Sequence, residues 1–198
     1  MYCRYSHSRT KHSSLRIPTQ NSASALTATA DQIEVPDFIR DALSTIPPRP
    51  YTDSLVQNFF ENVNYHYGTL HQPSFMSSYV EWWGRRRQFH RSPNMTTIVT
   101  TCLVLRICAN SAQYLDSELT ERFETELSDS TESLSLRYQT AAQTLSDFIP
   151  PGEGDLSQVQ QLFLSAIWLK AEAEFAKSWH ALAAAIRVAQ ELSKLLRL

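Results

Sequence analysis

Three cysteines, four glycines and no long apolar run limit what this chain of 198 residues can be. Cys3, Cys102 and Cys108 are too few for a disulfide scaffold or a four-cysteine zinc site, and sparse cysteine suits a reducing compartment. Glycine occurs only at 68, 84, 152 and 154, which argues against glycine-rich phosphate loops and turn-rich β architectures. No stretch of 18 apolar residues occurs, so no membrane-spanning helix and no membrane partner are expected. The N-terminus lacks the apolar run of a secretory signal. Charge is nearly balanced, with 18 Lys and Arg against 20 Asp and Glu for a net −2, so no overall field points to nucleic acid. Catalytic signatures are missing as well: there is no Gly-x-Ser-x-Gly, Walker loop, dinucleotide fingerprint or His-Glu-x-x-His. None of the six histidines, His180 among them, has a partner at ligand spacing, so no metal site and no enzyme are expected.

What the chain does have is apolar residues at helical spacing. Hydrophobic residues make up 42% and charged residues 19%, as in a soluble globular protein. A chain of this length buries roughly 70% of its unfolded surface, so a core without staples is feasible. Residues 1–33 stand apart: Arg4, Arg9, Lys11 and Arg16, many Ser and Thr, and no acid before Asp31. That composition reads as a disordered basic tail, and an organellar transit peptide shares it.

From residue 34 to 198 the pattern is helical. A short helix is expected from about Pro36 to Thr45, and Pro47, Pro48 and Pro50 then forbid one. Thr52 or Asp53 can cap the next helix. Its stripe is Leu55, Val56, Phe59, Phe60, Val63 and Tyr67, with Gly68 at its left-handed C-terminal end. Ser74 opens a helix carrying Trp82 and Trp83 that fades around Gly84 to Ser92, and Pro93 begins another. Residues 95–115 are apolar almost all round and should lie deepest. Residues 116–132 hold seven acids against Arg122, within what reads as a long surface helix to 148, breakable near Ser128–Ser133. Ile149–Gly154 is a clear break. Asp155 or Ser157 caps the following helix, with Gln160 completing a capping box. A last stripe holds Trp179, Leu182, Ala183, Ile186, Ala189, Leu192 and Leu196. With no strand alternation, the expected fold is all-α, a bundle of about six to seven helices.

Candidate sites are few. Cys102 and Cys108, six apart, point to different faces and read as buried free thiols. Arg85, Arg86 and Arg87 offer a phosphate or nuclear-import patch, or simply a solvated helix end. Trp82 and Trp83 offer a ligand platform, or one core residue with its neighbour flanking it.

Several segments taken together resemble a known family. They are Ile46-Pro47-Pro48-Arg49-Pro50, then Asp53-Ser54-Leu55-Val56-Gln57-Asn58-Phe59-Phe60, then Pro73-Ser74-Phe75 and Trp82-Trp83. At the far end stands Trp179-His180-Ala181-Leu182-Ala183-Ala184-Ala185-Ile186-Arg187-Val188-Ala189-Gln190-Glu191-Leu192. In this order they resemble the regulatory ("middle homology") domain of fungal binuclear zinc-cluster transcription factors, over about residues 44–192. The resemblance implies a nuclear regulator acting through effector or coregulator contacts, or through homo- or heterodimers with related regulators. It puts Trp82, Trp83, Trp179, His180 and Arg187 forward as motif residues. Arg187 could equally pair with Glu191 one turn on.

Two departures qualify it. The family's six-cysteine zinc cluster has no counterpart here, so no cofactor is expected in this chain and no direct DNA binding from it alone. The family's last helix normally runs into further helices, where here Ser193-Lys194-Leu195-Leu196-Arg197-Leu198 stands. Read this way, the chain is the incomplete first part of a larger helical domain, as a truncated product, splice form or misread gene would be. Such a chain should expose an apolar face on its last helix and self-associate.

Overall fold

Eighteen residues without a charge except one arginine, Met95–Ala112, form the axis of the structure as helix α5. The computed structural model describes residues 36–89 and 94–195, with side chains described at 36–86 and 94–194. These residues fall within one unit, Ile33–Leu198. The basic tail, in either reading, lies outside the described residues. The described residues hold nine α-helices, one π-helical turn and no strand. The fold is all-α. Eight rods result where about six to seven were expected, chiefly because 116–148 divides.

Helix α1 is Asp37–Ser44 and α2 is Arg49–Asn58. The prolines do not forbid α2 but open it: Pro48 is its N-cap and Pro50 lies in its first turn. The N–H groups of a first turn have no intrahelical acceptor, so a proline there loses nothing. Thr52 is therefore inside the helix rather than its cap, and its hydroxyl donates to the Pro47 carbonyl at 2.9 Å. A π turn at Phe59–Val63 carries α2 into α3, Asn64–Tyr67. Gly68 ends it at φ +58°, a conformation that a side chain would strain. Asn64 then closes the corner, donating to the Leu70 carbonyl at 3.0 Å and accepting from its N–H at 2.9 Å.

Helix α4, Gln72–Phe89, starts two residues before Ser74 and runs through Gly84 to end within the expected range. Pro93 lies outside the described residues, and Asn94 caps α5 by accepting from the Thr97 N–H at 2.8 Å. Helix α5 is the deepest, as its composition predicts: Val104, Leu105, Ile107 and Cys108 have no exposed surface. Each such aliphatic side chain contributes about 1.5–3 kcal/mol on burial. By length and composition α5 could cross a membrane, contrary to the sequence expectation, but 78% of that window is buried within the bundle.

The acidic stretch forms two helices, α6 (Ser117–Leu127) and α7 (Thr131–Phe148), parted at left-handed Ser128. Only α6 is the expected surface helix. Helix α7 packs along α5 and buries Leu134, Tyr138, Ala142 and Leu145. Helix α8 (Leu156–Ala171) is capped by Asp155, which accepts from the Ser157 N–H at 2.8 Å. No Ser157–Gln160 box forms, because Gln160 reaches instead to the Thr69 carbonyl at 3.1 Å. The last helix, α9 (Phe175–Leu195), packs chiefly on α8. The core is thus three helices, α7, α5 and α8, with α1 on α7, α2 on α5, and α9 outermost against α8.

Candidate functional site

The motif residues divide between two places. The first is an aromatic cluster on α4. Trp82 is buried and donates from its indole N–H to Thr101 Oγ1 at 2.9 Å. Trp83 flanks it edge-on, with ring centroids 4.9 Å apart. Arg86 lies over the Trp83 ring at 4.5 Å and donates to the Ile46 carbonyl at 3.1 Å, locking α4 to the α1–α2 corner. Tyr79 completes it, stacking on Trp82 and donating to Asp53 Oδ1 at 2.7 Å. Burial and that bond to a carboxylate hold the Tyr79 phenol well above its ordinary range. These residues are engaged with one another and leave no ring face presented as a platform. Arg85 pairs with Glu81 on the exposed side. The Arg87 side chain lies outside the described residues.

The second place is a groove of about 760 Å³ over α8, between α7 and α9. That volume is in the range of small-molecule sites. Its floor is Leu162, Trp168 and Leu169, and one wall is α9 with His180, Ala184, Arg187 and Val188. The other wall is α7, with Leu136, Gln139, Gln143 and Asp147. His180 and Arg187, two turns apart, share the groove wall. Among the ion pairs of the described residues, none joins Arg187 to Glu191. Trp179 does not join them. It stands 74% exposed on another face of α9, with Phe175 at 67% and Ile186 at 50%.

The loop from Ile149 to Gly154 closes one end of the groove. Gly154 permits this: a Cβ there would lie 2.5 Å from the Cβ of Gln158. Gln158 and Gln139 both line the groove and are more than nine-tenths buried. The amide oxygen of each has no hydrogen-bond partner within the protein. Such buried acceptors are uncommon, because an unmade bond costs about 1–3 kcal/mol.

Behind the α7 wall lies the residue that sequence reasoning missed. Arg106 on α5 is fully buried and faces only neutral acceptors. It donates to Gln161 Oε1 at 3.3 Å, the Gln139 carbonyl at 3.3 Å and Gln143 Oε1 at 2.8 Å. Gln143 in turn donates to Asp147 Oδ1 at 2.6 Å, so the carboxylate meets the guanidinium through an amide at the groove wall. Burial pulls the Arg106 pKa down, and Cys102 and Asp147 oppose it. A lone arginine amid an apolar helix was the available signal.

The cysteines are placed as expected. Cys102 and Cys108 are free and buried. Cys102 Sγ lies 3.1 Å from the Ala142 carbonyl, and burial pushes its thiol up to about 11. Among the described residues no three His, Cys, Asp or Glu converge to hold a metal.

Residues 56–194, more than half of the chain, match the family described as "Fungal specific transcription factor domain". The chain belongs to that family. It is 26% identical over 161 residues to "Transcription factor xilB" of Penicillium rubens, covering 78% of this chain and 23% of that protein. It is 25% identical over 160 residues to "Probable transcription factor sol4" of Alternaria solani, covering 78% of this chain and 27% of that protein. The chain therefore spans about a quarter of the length of these curated relatives. No solved structure matches it. For this transcription factor domain, the first motif cluster is a fastener and the second lines a groove.

Proposed function

We propose that this fungal transcription factor domain modulates transcription in the nucleus by engaging an effector or a coregulator at the α7–α8–α9 groove, and does not itself grip DNA. The observation that carries this is the pair of buried, partnerless amide oxygens of Gln139 and Gln158 facing a groove lined by His180 and Arg187. Buried polar groups are mostly satisfied, so two unmet acceptors facing one groove support its reading as a seat for an incoming group. DNA contact would come from elsewhere: net charge is −2, and the described basic residues Arg85 and Arg86 are held by Glu81 and Ile46.

The test tethers the full chain to a heterologous DNA-binding module and measures a reporter. Output should shift relative to the module alone, and Ala184→Trp, which fills the groove, should remove the shift. An untethered chain that retards DNA at physiological salt, or a tethered chain that leaves the reporter unchanged, overturns the reading.

A second reading rests on Phe175, Trp179 and Ile186. An outward apolar stripe on a helix favours protein–protein contact, including pairing with related regulators.

A further inference from the structure

We infer that the groove takes an uncharged, largely apolar small molecule that carries hydroxyl or N–H donors, such as a phenol or a hydroxylated ring compound. The inference rests on the reading of the groove as an effector seat and adds the chemistry of the effector.

Three observations define that chemistry. First, the floor of Leu162, Trp168 and Leu169 offers flat apolar contact, and the volume of about 760 Å³ accommodates more than a single ring. Second, the unmet groups are both acceptors. Gln139 Nε2 donates to Ser165 Oγ at 3.2 Å, and the amide oxygen has no partner within the protein. Gln158 Oε1 is bare likewise. Bare acceptors select donors; a molecule that brought only ether or carbonyl oxygens would leave four acceptors unsatisfied where there were two. Third, the charges on the groove walls balance. Lys177 and Arg187 stand against Asp147 and Glu191, so a formal charge on the ligand would meet an opponent as well as a partner. Lys177 is already paired with Glu174 at 3.1 Å, and Asp147 already accepts from Gln143.

Arg106 gives such binding a consequence. Its guanidinium donates to the Gln139 carbonyl and, through Gln143, reaches Asp147. A ligand donor that fixes the Gln139 side chain therefore stiffens the same stretch of α7 that holds the buried charge. Occupancy should raise the stability of the whole domain, by linkage.

The experiment uses the full chain with 2-naphthol and its methyl ether, 2-methoxynaphthalene, which keeps the rings and loses the donor. Binding is followed by ligand-observed NMR titration and by the shift in melting temperature. The naphthol is expected to bind about tenfold more tightly than the ether, as one well-made hydrogen bond allows. Gln158→Leu and Gln139→Leu should each shrink that ratio while keeping affinity for the ether, and Ala184→Trp should abolish both. Because Gln139→Leu also loses the bond to Ser165, Gln158→Leu and the change at half-buried Ala184 keep the test decisive if the first variant fails to fold. Equal affinity for the two probes overturns the inference. So does binding of neither, or binding that survives Ala184→Trp. If neither binds but Ala184→Trp still removes the reporter shift, the groove takes a protein segment: the donor-ligand inference fails and the regulatory reading stands.

Discussion

The two motif-bearing regions treat their tryptophans in opposite ways. On α4, Trp82 is 4% exposed and its N–H is satisfied, while on α9 Trp179 is 74% exposed. The first region is closely packed, with each aromatic ring and the Arg86 guanidinium against a neighbour, and only the Trp83 indole N–H in it lacks a partner. The second is half a packing arrangement: α9 meets α8 on one side and solvent on the other. A residue type that recurs at both ends of a sequence motif therefore says little about role. Its surroundings decide, and those come from elements distant in the chain.

The sharpest way to break this contrast is to truncate both residues. Trp82→Ala should cost about 3–5 kcal/mol in urea unfolding, as for a large buried aromatic. Trp179→Ala should stay within about 0.5 kcal/mol. Equal losses would mean that α9 is as tightly integrated as α4. The arginines provide the same comparison one step down. Arg106→Ala leaves several buried acceptors bare and should cost about 3 kcal/mol, since each bare acceptor costs about 1–3. Exposed Arg187→Ala should leave the melt unchanged. Next in size is Gly154→Ala, whose new methyl group meets Gln158 and should cost about 1–3 kcal/mol by overpacking. A neutral result would show that the loop yields freely.

Two smaller effects complete the series. Trp179→Gln with Ile186→Gln should suppress concentration-dependent association in sedimentation without lowering the melting temperature. Self-association unchanged by the pair would move the contact off α9. The last effect is on pH. The folded state holds the Cys102 proton up to about 11, against an ordinary 9.0. A raised pKa stabilises fully below the unfolded value and loses that contribution as pH climbs to the folded one. The melting temperature should therefore begin to fall near pH 9 and continue falling to about 11. The phenols of Tyr79 and Tyr138, also raised, act in the same direction above pH 10. A flat profile across that span would mean that the thiol is solvent-accessible.

Helices with a clear stripe, such as α5 and the segment from Leu55 to Tyr67, were legible because periodicity is local. So was the left-handed end at Gly68. The start of α2 is not legible because prolines read as helix breakers in sequence, and only their place in the first turn makes them starters. Helix α7 reads as a surface helix in sequence because the acids of α6 colour the whole stretch. The groove was legible only in part. His180 and Arg187 are two turns apart on one helix, and that spacing is visible in one dimension. Gln139, Gln158 and Arg106 gain their meaning from partners tens of residues away, and no local pattern marks a glutamine as partnerless.

The π turn at Phe59–Val63 has an evolutionary side. A turn that closes over one residue more than its neighbours accommodates an insertion without a loop. Removing one residue there would restore plain α geometry and swing everything beyond it by about 100° around the axis. Asn64 and Leu70 would move together, and Tyr79 and Trp82 beyond them would be carried away from Asp53 and Thr101. Among relatives, this short stretch is where lengths should be most strictly kept even as side chains drift, because here the count of residues, more than their identity, sets the path of the chain.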